Sequence, residues 1–118
     1  MIKEKNCFEA EFSGGLLAVR ILGEIDHHSA LGIRHGIDAM IFEKRPTRLI
    51  LDLSRIDFMD SSGLGLIMGR FALVKKYGGT FSVLDPSPAV LKIITLAGME
   101  RMVTILRTKK KTEVKKEI

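Results

Sequence analysis

Leu49-Ile50-Leu51-Asp52-Leu53 is a five-residue run with a single polar member, too short for a buried helix and too evenly apolar for a strand with one wet face. Such a run suits a central parallel strand covered on both faces. On its N-terminal side, Ala30, Ile33, Ile37, Met40 and Ile41 recur at helical spacing between Ser29 and Lys44. Asp26 or Ser29 is available as the N-cap of that helix, and Pro46 stops it. On the C-terminal side, Leu64, Ile67, Met68, Phe71 and Val74 form a second apolar stripe, which ends in Lys75-Lys76 and Gly78-Gly79.

The pattern continues outward in both directions. Cys7 to Phe12 and Leu16 to Leu22 are extended-looking runs joined by Ser13-Gly14-Gly15, the kind of connection that closes an antiparallel hairpin. Gly23-Glu24-Ile25-Asp26 then carries the chain out of the second run. Thr80 to Leu84 reads as another strand, and Asp85-Pro86-Ser87-Pro88 as a turn ending in an N-cap serine and a proline at N1. Val90, Ile93, Ile94 and Ala97 line a third helix ended by Gly98, and Met102 to Leu106 can supply a last short strand. Strands alternating with helices predict an α/β domain: a mixed, mostly parallel sheet of four to five strands, opened by the hairpin and served by three to four helices. Gly32 and Gly36, one turn apart in the first helix, predict close backbone packing there.

At 118 residues, with 46% hydrophobic residues, the chain has the length and apolar content for one self-sufficient core and not for two. No apolar stretch approaches the ~20 residues of a membrane span, and the opening Met1-Ile2-Lys3-Glu4-Lys5-Asn6 is not followed by a signal-type apolar segment. A lone Cys7 has no partner for a disulfide. These features predict a cytoplasmic protein that does not engage membranes. The net charge of +5 is uneven: from Arg107 onward six basic residues face Glu113 and Glu117, which leaves +1 for everything before. A nearly neutral body with a basic tail, 108–118, predicts no specific nucleic-acid binding, because a duplex reader organises its cations on a folded face. The expected boundary of the folded domain is therefore residue 107, with the tail disordered.

The chemistry-bearing segment is Ile56-Asp57-Phe58-Met59-Asp60-Ser61-Ser62-Gly63-Leu64-Gly65, where two hydroxyls and two glycines meet at a strand-to-helix turn. In a parallel sheet that is the edge where ligands and partners are usually met. A serine on the first turn of a helix lies beside free N–H groups and the positive end of the dipole, so a phosphate there is tolerated by its own scaffold. On the residues alone, Asp60 and Ser61 can equally be simple caps, with Gly63 and Gly65 allowing close approach to neighbours. G-x-S-x-G needs a glycine two positions before the serine, where Met59 or Asp60 stands, and the Walker A spacing with its lysine is missing. Asp26-His27-His28 is a formal base and orienter for Ser61, or a metal set with His35, but adjacent side chains on an extended segment diverge. No catalytic residue, cofactor or metal is expected.

Gly23-Glu24-Ile25-Asp26-His27-His28, Phe58-Met59-Asp60-Ser61-Ser62-Gly63-Leu64-Gly65, Gly78-Gly79 and Ser87-Pro88, in that order and spacing, resemble the anti-sigma factor antagonists of the STAS family. The resemblance runs from about Cys7 to Leu106, and Asp-His-His after Gly-Glu-Ile is more similar to the sporulation branch, which antagonises the anti-sigma F factor, than to the general-stress branch. It implies a switch that binds an anti-sigma factor serine kinase, frees the sigma factor, is inactivated by phosphorylation, and is reset by a PP2C-type serine phosphatase. The family's phosphoacceptor corresponds to Ser61, and Asp26 to an exposed aspartate that engages the kinase. The implied docking patch comprises Asp26, Asp60, Ser61, Ser62, Gly63, Leu64 and Gly65, on a protein that is monomeric when free. The family usually closes with an amphipathic helix packed on the sheet, whereas Thr108 to Ile118 is short, basic and apolar only at Val114 and Ile118. A serine hydrolase using Ser61 and a ligand-sensing STAS module are the alternative readings.

Overall fold

A computed structural model describes residues 8–108. The hairpin forms as expected: β1 (Phe8–Ser13) and β2 (Leu16–Ile21) pair antiparallel across Gly14 and Gly15, both at positive φ. Positive φ at both central residues matches the right-handed twist of the flanking strands, and glycine adopts it without steric cost. After β2 come β3 (Gly23–Ile25), α1 (His27–Lys44), β4 (Arg48–Asp52), β5 (Ile56–Met59), α2 (Ser61–Lys76), β6 (Thr80–Leu84), α3 (Pro88–Leu96) and β7 (Thr104–Leu106), with a 3-10 turn at Met99–Arg101 between the last two.

The main sheet has the order β1-β2-β4-β6-β7, parallel except for the hairpin. Val19, Leu51, Val83 and Ile105 stand opposite one another in adjacent strands, so one register row carries the apolar face from β2 to β7. Leu17, Leu49 and Phe81 extend that buried face, and Ile33, Ile37 and Ile41 of α1 with Ile67 and Val74 of α2 close over it.

Three expectations need correction. β4 is central, but it is not covered on both faces: among the described residues Ile50 is only half-buried, and on the same face Asp52 is held by Arg20 from β2 at 3.0 Å. Burial works against the Asp52 carboxylate, yet the Ser54 hydroxyl and N–H, with Arg20, outweigh it and hold its pKa below the usual range. In α2 the buried stripe is Leu66, Ile67, Arg70 and Val74, while Leu64, Met68 and Phe71 are half-buried at its flank. Of the two glycines in α1, only Gly36 serves close packing, a Cβ there falling 2.5 Å from the Phe8 ring; at Gly32 the space is open.

Arg70 explains the shift in α2. It is buried, with its Nε 2.8 Å from Asp38 Oδ1 of α1, and Arg34 lies on the other oxygen of Asp38 at 3.9 Å. The Arg70–Asp38 contact is a pairing of charges without a well-directed hydrogen bond at either atom. Burial lowers the Arg70 pKa and the Asp38 charge opposes that fall. The tail expected from residue 108 lies, apart from Thr108, outside the described residues; Thr108 itself donates its N–H and its hydroxyl to the two oxygens of Asp85.

Candidate functional site

The site hangs on a second, two-stranded parallel sheet that the segments around it do not advertise. β3 and β5 pair Gly23 with Ile56 and Ile25 with Met59, with a register shift between. The Asp60 N–H continues the ladder to the Ile25 carbonyl at 3.3 Å. The stretch read as an exit from β2 and the stretch read as a loop before α2 are thus strands, and each runs directly into a helix. The heads of α1 and α2 start side by side, α1 at Asp26 and α2 at Asp60.

Asp26 is the N-cap of α1, so the helix begins two residues before Ser29 and takes in His27 and His28; they are on its first turn and not on an extended segment. Asp26 Oδ1 accepts the N–H groups of His28 (3.0 Å) and Ser29 (2.9 Å), and Ser29 Oγ accepts the Asp26 N–H in return. The Ser29 hydroxyl donates to the Glu24 carbonyl at 3.0 Å. Led by the Ser29 N–H, these donors hold the Asp26 carboxyl below the usual carboxylate range.

Asp60 caps α2, its Oδ1 accepting the Ser62 N–H at 2.8 Å. Ser61 is the first helical residue and is exposed; Ser62 is half-buried beside it. Gly63 is buried because no side chain fits there: a Cβ would fall 2.0 Å from Met59 Cγ and 3.3 Å from Ile25 Cγ2. Removing that Cβ lets the first turn of α2 close on the β3–β5 ladder. Leu64 packs half-buried against the core, and Gly65 is exposed.

The arrangement presents one hydroxyl, Ser61, at a helix head with two carboxylates close by in the fold. Among the described residues neither Ser61 Oγ nor the imidazoles of His27 and His28 form a hydrogen bond, and no group of three potential metal ligands comes together. No helix among the described residues is long and apolar enough to cross a membrane.

Residues 8–112 match the STAS domain. The chain belongs to the STAS family. It is 37% identical over 97 residues to the anti-sigma F factor antagonist of Paenibacillus polymyxa, an alignment covering 82% of this chain and 83% of the relative. In three dimensions it resembles the unphosphorylated anti-sigma factor antagonist SpoIIAA, with a TM-score of 0.77 at 31% identity over 93% of this chain and 95% of that one. The phosphorylated form of SpoIIAA, the Bacillus cell fate determinant, gives a TM-score of 0.71 at 29% identity over 94% and 99% of the two chains. The STAS domain expected from the motifs, with its hairpin, mostly parallel sheet and helices, is therefore the fold of this chain.

Proposed function

We propose that this STAS protein is an anti-sigma factor antagonist of the sporulation type, which binds an anti-sigma factor serine kinase through the face formed by Asp26, Asp60, Ser61, Ser62, Leu64 and Gly65, with Gly63 of the expected patch buried beneath it, and thereby releases a sigma factor. Phosphorylation of Ser61 by that kinase is the off switch, and a PP2C-type phosphatase restores the hydroxyl. The observation that carries this reading is the exposed Ser61 hydroxyl on the first turn of α2 beside the Asp60 cap. The relatives' names support it, and so does the likeness to a protein solved in both phosphorylation states.

The switch needs no change of fold. A phosphoserine adds about −1.5 to −2 charges. At a helix head those charges meet the favourable end of the dipole, so the cost arises only when a partner is pressed against them. A dianion forced into a dry contact without a cation costs about 3 to 5 kcal/mol, which corresponds to about two to four decades in affinity. The chain itself performs no catalysis in this reading. The hydrolase alternative has no support from the geometry, since among the described residues no base is hydrogen-bonded to Ser61, and a fluorophosphonate should leave the protein unlabelled.

The test is titration against the anti-sigma F factor of Paenibacillus polymyxa. Ser61→Ala should bind like the wild type and resist inactivation by kinase and ATP. Ser61→Asp should fold normally and bind at least tenfold more weakly. Mass spectrometry after incubation with kinase and ATP should place the phosphate on Ser61; a phosphate on another residue would overturn the reading.

A further inference from the structure

A groove of about 730 Å³ is lined by α1 and α2, with Ser62, the neighbour of Ser61, among its lining residues. Two glycines one turn apart, Gly65 and Gly69, line its α2 side. Each mid-helix glycine costs about 1 kcal/mol relative to alanine. At Gly36 and Gly63 that cost has an internal reason, the space of a Cβ being taken by Phe8 and by Met59; exposed Gly32 in α1, outside the groove, has none. At Gly65 and Gly69 a Cβ would meet nothing within 4 Å, and neither residue has a left-handed φ. Among the described residues nothing calls for glycine at these two positions.

The lining has a definite chemistry. Arg70, 6% exposed, and Arg34 border the groove and share the single carboxylate of Asp38, which leaves an excess of positive charge, and His27 and His28 add imidazoles from α1. No carboxylate lines it; Asp38 compensates Arg70 from outside the lining. Leu31, 54% exposed, and buried Leu66 supply an apolar wall. We infer that this groove receives a segment of the anti-sigma partner in which an apolar side chain stands next to a carboxylate, the apolar group entering over Gly65 and Gly69 and the carboxylate meeting Arg34 at the rim. The inference rests on the functional reading above and extends its docking face along the α1–α2 seam, since Ser62 and Gly65 of that face also line the groove.

The same titration tests it. Gly69→Leu fills the groove and should weaken binding tenfold or more while the thermal midpoint stays at or above that of the wild type. Arg34→Glu reverses the rim charge at a half-exposed position and should also weaken binding tenfold or more, so the inference stays testable if Gly69→Leu folds poorly. If both folded variants bind like the wild type while Ser61→Asp binds weakly, the groove has another occupant, such as a small anion, and the inference is overturned with the functional reading intact. If the wild type itself does not bind, both are overturned.

Discussion

Asp26 at the head of α1 and Asp60 at the head of α2 each follow the last pair of the same short ladder, Ile25 with Met59, yet the two helix starts are completed differently. Asp26 satisfies two backbone donors, and its own N–H is taken by Ser29, the third residue of the helix. Asp60 satisfies one donor, and the third residue of its helix is Gly63, which has no side chain to reciprocate and sends its N–H to the Asp60 carbonyl. The first start is a closed capping box and so a fixture of the scaffold. The second carries an exposed hydroxyl, Ser61, on its first turn, where the helix dipole favours an anion such as the phosphate proposed above. One ladder thus holds a reciprocally closed cap beside one that carries an exposed hydroxyl.

Removing what ties the two helices together should have the largest effect. Asp38→Ala leaves Arg70 buried without its counter-charge and should cost about 3 to 5 kcal/mol in urea unfolding, with the double change Asp38→Ala, Arg70→Leu recovering most of it. A loss below about 1 kcal/mol for the single change would mean that the seam does not depend on this pair. At the α2 head itself, Gly63→Ala must displace Met59 and should cost about 1 to 3 kcal/mol, whereas Gly65→Ala, with open space, should add up to about 1 kcal/mol. Equal outcomes at the two glycines would contradict the close seating of α2 on Met59. The smallest effect separates the caps: Asp26→Ala should lower the melting temperature more than Asp60→Ala. Because the folded state holds the Asp26 carboxyl below its ordinary pKa, the unfolded chain takes up that proton first as pH falls. The stabilisation is therefore present above about pH 4 and fades below it, so the Asp26→Ala deficit should shrink in acid.

Much of this architecture could be read from residue order. The hairpin glycines, Pro46 as a stop and Ser87-Pro88 as the start of α3 each act through local sterics or hydrogen bonds, and each behaves as local rules predict, while the β4 run forms its central strand without the expected cover on both faces. The β3–β5 ladder escaped because its strands have three and four residues, with Asp57 and Phe58 exposed in the middle of β5, too short for an alternation to register. Arg70 was absent from the expected stripe because its burial depends on Asp38, 32 positions earlier, and the residues around it give no sign of such a partner. Asp26, Asp60 and Ser61 stood out as cap and hydroxyl residues, but their nearness rests on that unread ladder. The open face of β4 was missed because a nearly continuous apolar run looks the same whether one or both sides are covered.

A hydroxyl fixed at the start of a sixteen-residue helix cannot be drawn out into an extended peptide as a floppy tail can. Any enzyme acting on Ser61 has to approach the intact domain and read its shape, so a short synthetic stretch around the serine would make a poor substitute for the whole. Selectivity would then reside in three-dimensional fit, beyond the reach of a consensus string of neighbouring letters.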